Sequence, residues 1–141
     1  AIEICPSDTF HLARYSVLLS YLGKPEDAME QIDKALRINP FGSDLMFETK
    51  GVCAYLLEDY EAAISTFKNM QIETRVSLFY SAACYGVLDK TDLAKDRLSL
   101  AKNESGMDIA KFVATQLYQS DEISNKLKSN LLSIEEGLVV S

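Results

Sequence analysis

Histidine is nearly missing from this chain of 141 residues, which carries His11 alone. A metal site built on clustered imidazoles is therefore excluded. Cysteine is almost as sparse: Cys5, Cys53 and Cys84 are far apart and form no CxxC pair. An odd, widely spaced set with no secretory signal in the sequence reads as reduced thiols in a cytoplasmic setting. Positive charge is also short, with 14 basic against 21 acidic side chains and a net charge of −7. The basic residues are scattered among acids, so the concentrated positive face that phosphate backbones require is lacking, and nucleic acid is not an expected ligand. No long apolar run occurs. The stretch "SVLLSYLG" is too short to span a bilayer and is followed at once by charge. Glycine-rich phosphate loops, H-E-x-x-H and nucleophile elbows are absent too. His11 has no nucleophile placed beside it by sequence, so neither catalysis nor a cofactor is expected. The carboxylate pairs Asp121-Glu122 and Glu135-Glu136 read as solvated helix ends.

What the sequence does contain is an internal period. The opening "AIEICP" returns as "ALRINP", with Pro6 and Pro40 separated by 34 residues. Between them, "TFHLARYSVLLSYLGKPEDAMEQIDKALRINP" has two amphipathic segments around the turn "LGKP". Leu12, Tyr15, Leu19 and Leu22 fall on one side of the first at helical spacing. Gly23 is placed to end that helix, and Pro25 lies just inside the next. Ala28, Ile32 and Ala35 make the inward face of the second helix, small enough for close backbone approach. The pattern recurs as Phe47, Gly51, Ala54, Ala63, Phe67 and Met70, then as Leu78, Ala82, Tyr85, Ala94, Leu98 and Ala101. The steps from Ala28 to Ala63 and from Ala63 to Ala94 are 35 and 31 residues, so the second unit is expected to be short at its end. Cys53 and Cys84 each follow the small residue of a first helix by two positions, and read as small apolar filler.

These positions resemble the tetratricopeptide repeat, whose signature combines W-x2-L-G-x2-Y with a later A-x3-F, A and P. Ser16, Gly51 and Ala82 stand at its small position, and the pairs Ala28/Ile32, Ala63/Phe67 and Ala94/Leu98 at its second-helix positions. Leu12, Phe47 and Leu78 replace the tryptophan, and the closing proline is missing from the last two units. The resemblance implies an all-α fold, a right-handed α-α superhelix of about three repeats with a C-terminal helical cap. It divides the chain into 1–8, the remnant of a preceding repeat; 9–103, three repeats (9–42, 44–73 and 75–103); and 104–141, capping helices. The start at "AIEICP" leads us to expect the C-terminal piece of something longer.

The tail breaks the pattern at Ser105-Gly106. Ile109, Phe112, Val113 and Leu117 then share one helical face, and Ile123, Leu127, Leu131 and Ile134 another, between an N-cap at Ser120 and a stop at Gly137. This end is similar to the C-terminal repeats of bacterial regulators that carry a class III adenylate or guanylate cyclase domain or a CadC-like winged-helix domain. The resemblance rests on Leu117-Tyr118, Ser120-Asp121 and Glu136-Gly137-Leu138. It implies a non-catalytic protein-interaction module in the cytoplasm, the regulatory segment of a signalling or transcription-regulating protein; a free-standing adaptor or scaffold is the alternative. In repeats of this family the first helices line a concave groove. By periodicity the groove positions are Phe10, Ala13, Val17 and Tyr21, then Leu45, Glu48, Val52 and Tyr55, then Val76, Phe79 and Ala83. The partner such a groove suits is a protein or peptide with an apolar segment, from another chain or from this one; the tail helices themselves are candidates to cover it. No membrane partner is expected, and the sequence leaves the oligomeric state open.

Overall fold

The computed structural model describes residues 6–136, with the side chains of residues 6–8 left aside. Ala1 to Cys5, and Gly137 onwards, lie outside the described residues, and with them Ile2, Ile4, Cys5, Gly137 and Leu138. The described chain is all-helical. Eight helices follow one another: α1 (Pro6–Tyr21), α2 (Pro25–Ile38), α3 (Asp44–Leu56), α4 (Tyr60–Phe67), α5 (Arg75–Val87), α6 (Thr91–Ser105), α7 (Ile109–Thr115) and α8 (Asp121–Glu135). No strand occurs among the described residues. The chain divides into two compact units, one ending at Ile72 and one starting at Glu73.

Three helical hairpins share one turn. The pairs α1–α2, α3–α4 and α5–α6 are each joined by three residues, and the middle one has positive φ: Gly23 at 79°, Glu58 at 64° and Asp89 at 61°. The hydrogen bonds repeat as well. Lys24, Asp59 and Lys90 donate their N–H groups to the carbonyls of Leu19, Ala54 and Tyr85, each at 2.9 Å. Gly23, Glu58 and Asp89 donate to Ser20, Tyr55 and Gly86 at 3.1, 2.9 and 3.1 Å. These bonds satisfy carbonyls that a helix end leaves open. Glycine adopts this conformation freely; Glu58 and Asp89 hold it against a steric cost of about 1–2 kcal/mol. The positive-φ residues are spaced 35 and 31 residues apart, the same steps as the alanines.

In the first unit the order of contacts gives the packing. Ala13, Ile32, Ala35 and Met46 form one buried cluster, and Leu19, Ala28 and Cys53 a second. Residue numbers rise along α1 as they fall along α2, so these two are antiparallel; α3 is antiparallel to α2 and parallel to α1. Lys50 of α3 pairs with Asp33 of α2 at 2.8 Å. Ser16 sits at the junction of the three helices, fully buried, and donates its hydroxyl to the Ala28 carbonyl at 2.7 Å. That donation leaves the Cys53 thiol, 3.6 Å away, as donor to the Ser16 oxygen. Within the second hairpin, Gly51 faces the ring of Phe67 so closely that an added Cβ would lie 2.3 Å from it. Glycine here is a packing requirement, with α4 seated directly on the α3 backbone. The shortness of the second unit falls in α4, which has 8 residues where α2 has 14 and α6 has 15. Asp44, in the first turn of α3, receives the N–H groups of Gln71 and Ile72 at 2.8 and 3.0 Å and ties down the chain after α4.

The second unit is built on α5, buried at every residue from Ser77 to Tyr85. A helix apolar on all sides must be covered on all sides. α6 covers it with Ala94, Leu98 and Ala101, and the tail helices add to that cover: α8 packs on both α5 and α6, and α7 packs on α8. Gly86 approaches Ile134 of α8 so closely that a Cβ would meet it at 2.9 Å. Thr74 and Ser77 form a reciprocal capping box at the start of α5. Ser120 is the N-cap of α8, as its position predicts, although its side chain makes no capping bond.

Candidate functional site

The eleven groove positions separate into three groups. Phe10, Val17 and Tyr21 lie along one face of α1, with Phe10 49% exposed and the other two half-buried. On α3, which runs parallel to α1, Leu45, Glu48 and Val52 are half-buried. These six, all in the first unit, are the positions with surface to offer a partner, together with half-buried Val76 in the second.

Ala13 and Tyr55 require correction as lining residues. Ala13 is fully buried in the cluster with Ile32, Ala35 and Met46, because the close approach of α2 and α3 turns it inward. Tyr55 is buried with its ring edge-on to Tyr60 at 5.8 Å.

The second unit brings the larger correction. Phe79 and Ala83 are fully buried. The Phe79 ring stacks on Phe112 of α7 with centroids 4.1 Å apart and planes 15° from parallel. Beside it, Phe112 meets Tyr80 edge-on at 5.8 Å. The Tyr80 hydroxyl lies 2.8 Å from Gln116 Oε1, to which it donates, and 2.7 Å from the Tyr118 hydroxyl. The tail thus fills this part of the stripe with its own aromatics and satisfies the polar groups that burial leaves there. Leu117 does not join the inward face of α7: that helix stops at Thr115, so Leu117 is exposed and Tyr118 is buried instead.

One participant escaped the sequence reading. Arg14, one helical turn after Phe10, holds its guanidinium 5.6 Å from the centre of the Phe10 ring. Its signal was the i, i+4 spacing of an aromatic and a cation, which orients both on one face. The open face of α1 is therefore apolar with one fixed positive charge.

The two described thiols, Cys53 and Cys84, are buried and offer no reactive group. Burial pushes Cys53 up to about 11 and Cys84 up to about 12, so both are protonated across the physiological range. Among the described residues no three His, Cys, Asp or Glu side chains come together as metal ligands. No helix among them is long and apolar enough to cross a membrane. No protein-family model matches the chain, and no curated protein matches it.

Proposed function

We propose that the chain is a non-catalytic protein-interaction module of the tetratricopeptide kind. We place it as the C-terminal regulatory segment of a larger cytoplasmic bacterial signalling or transcription-regulating protein. The observation that carries this reading is the half-open apolar face of Phe10, Val17 and Tyr21, with Arg14 beside Phe10, on a scaffold of hairpins that share one turn. Such a face suits an apolar helix or strand with an acidic group at the guanidinium. Aromatic and arginine side chains carry much of the energy in interfaces. The parent-protein assignment rests on the sequence resemblance of the repeats and tail. Partner binding would act there by shifting the populations of an attached effector domain.

The test compares Phe10→Ala, Tyr21→Ala and Arg14→Ala with Lys34→Ala, an exposed position on α2. Against a partner identified by pull-down, each of the first three is expected to weaken binding by at least ~1 kcal/mol while leaving the melting temperature nearly unchanged. Lys34→Ala is expected to change neither. Full binding by all three variants rejects the face.

A further inference from the structure

Two large apolar side chains of the first unit stand clear of its helices. Phe41, in the loop after α2, is 91% exposed, and Ile72, after α4, is 72% exposed. Both lie at one end of the unit, because α2 and α4 run the same way, each antiparallel to α3. Neither is on loose chain. The Gly42 N–H donates to the Asn39 carbonyl at 3.0 Å and closes a turn over Pro40 and Phe41. The Asp44 carboxylate, three residues beyond Phe41, accepts the N–H groups of Gln71 and Ile72. Three residues span at most ~11 Å, so the two tips share one edge. Hydrogen-bonded backbone thus holds an aromatic and an aliphatic side chain out in water, where apolar surface is unfavourable.

Charge is sorted along the same axis. Arg37, in the last turn of α2, and Lys68, at the end of α4, are exposed beside the tips, and Asp44 is the one acid in segments 37–44 and 67–72. Around the Gly23 and Glu58 turns, segments 23–28 and 57–61 hold five acids against Lys24 alone. The two sets suit the dipoles of α2 and α4, and they also give the two ends of these helices opposite sign. Over the 14 residues of α2 the ends are ~21 Å apart, more than two screening lengths at physiological salt. An anionic surface at the tips therefore meets Arg37 and Lys68 and is screened from the distant acids.

We propose that this edge docks on an anionic lipid surface, with Phe41 and Ile72 entering the headgroup region and Arg37 and Lys68 meeting lipid phosphates. The shape favours lipid over a folded partner. Two separate convex tips demand two pockets at a fixed spacing from a protein, whereas a leaflet yields around any protrusion. Apolar insertion joined to basic side chains is a two-part anchor that gives reversible binding. The expectation of no membrane partner rests on the missing apolar run, which loop tips do not need. Phe10, Val17 and Tyr21 take no part, so the test stands apart from any partner for that face.

The chain has no tryptophan, so Phe41→Trp supplies a single reporter at the edge. In the full chain its emission is expected to shift to the blue with phosphatidylglycerol vesicles and to stay put with phosphatidylcholine vesicles. Lys24→Trp, at the other end of the unit, is expected to shift with neither. In co-sedimentation with phosphatidylglycerol vesicles, Phe41→Ser combined with Ile72→Ser is expected to lower binding at least ~10-fold. Arg37→Gln and Lys68→Gln are each expected to lower it ~5-fold and to weaken its salt dependence. All these sites are exposed, so the melting temperature is expected to hold in every variant. A parent chain that ignores the vesicles, or binding that survives the double serine variant, overturns the proposal. So does self-association, or capture of a protein partner, that the double variant abolishes while lipid binding is absent.

Discussion

The helices α1 and α5 open hairpins with the same turn, yet they are finished in opposite ways. α1 keeps two of its faces open, with Phe10 on one and Tyr15, Leu18 and Leu22 on the other. α5 keeps none: from Ser77 to Tyr85 every residue is buried, and its aromatics meet Phe112, Gln116 and Tyr118 of the tail. A hairpin of this build cannot bury all sides of its first helix by itself. Something further must cover it, and in the second unit the chain supplies that cover as α7 and α8. Exposed apolar surface on these first helices is therefore concentrated in α1, and the tail belongs to the burial of α5.

The largest expected effect tests that division directly. Phe79→Ala and Phe112→Ala each empty a buried stacked ring and are expected to cost ~3–5 kcal/mol in urea denaturation. Phe10→Ala, the same substitution at a half-exposed site, is expected to stay within ~0.5 kcal/mol. Equal losses at Phe10 and Phe79 would erase the contrast.

Next comes the close approach inside the second hairpin. Gly51→Leu drives a side chain into the Phe67 ring and is expected to cost ~1–3 kcal/mol or more, read from the denaturation midpoint. An unchanged midpoint means that α4 is not seated on the α3 backbone.

The buried thiols give the two units separate pH signatures. Each thiol ionises in the unfolded chain near its ordinary value of 9.0, but in the fold only near 11 for Cys53 and near 12 for Cys84. Above pH 9 the unfolded state therefore gives up these protons first, and stability falls as pH rises towards the folded values. The stability each contributes is fully present below pH 9. The slope is at most ~1.4 kcal/mol per pH unit for each thiol. Denaturation between pH 8 and 11 is expected to show a shallower loss in Cys53→Ala and in Cys84→Ala than in the parent, each relative to its own value at pH 8.

The smallest effect concerns the turns. Glu58→Gly and Asp89→Gly relieve positive φ and are expected to raise stability by ~0.5–1 kcal/mol each, part of the relief being offset by the freer unfolded chain. Gly23→Ala is expected to lower it by ~1 kcal/mol. Thermal melts of the three variants rank the turns against one another.

Helix content, the first hairpin turn and the inward alanines were legible in the sequence because each follows from local chemistry. Gly23 and Pro25 mark a stop and a start, and Ala28, Ile32 and Ala35 keep a single helical period. The equivalent turns at Glu58 and Asp89 were hidden, since neither is a residue that prefers positive φ; only alignment with "LGKP" exposes them. The candidate site was harder to read, because periodicity says which residues share a face and not what lies over it. Phe10 and Phe79 look alike as groove aromatics, and the difference between them is made by Phe112, a residue 33 positions beyond Phe79. Tyr15 and Leu22 share a side with Leu19 by spacing, yet they lie outside while Leu19 is buried, because α2 and α3 both approach α1 from the side of Ser16 and Ala13.

The brevity of α4 bears on the order in which the first unit assembles. An isolated helix of eight residues makes too few internal hydrogen bonds to overcome the entropy of starting a helix. Its formation therefore waits on a template, and the template is the bare backbone at Gly51, where the Phe67 ring lands. α4 is expected to be the last helix of its unit to form and the first to open. Amide exchange there is expected to keep time with the seating and unseating of one aromatic ring.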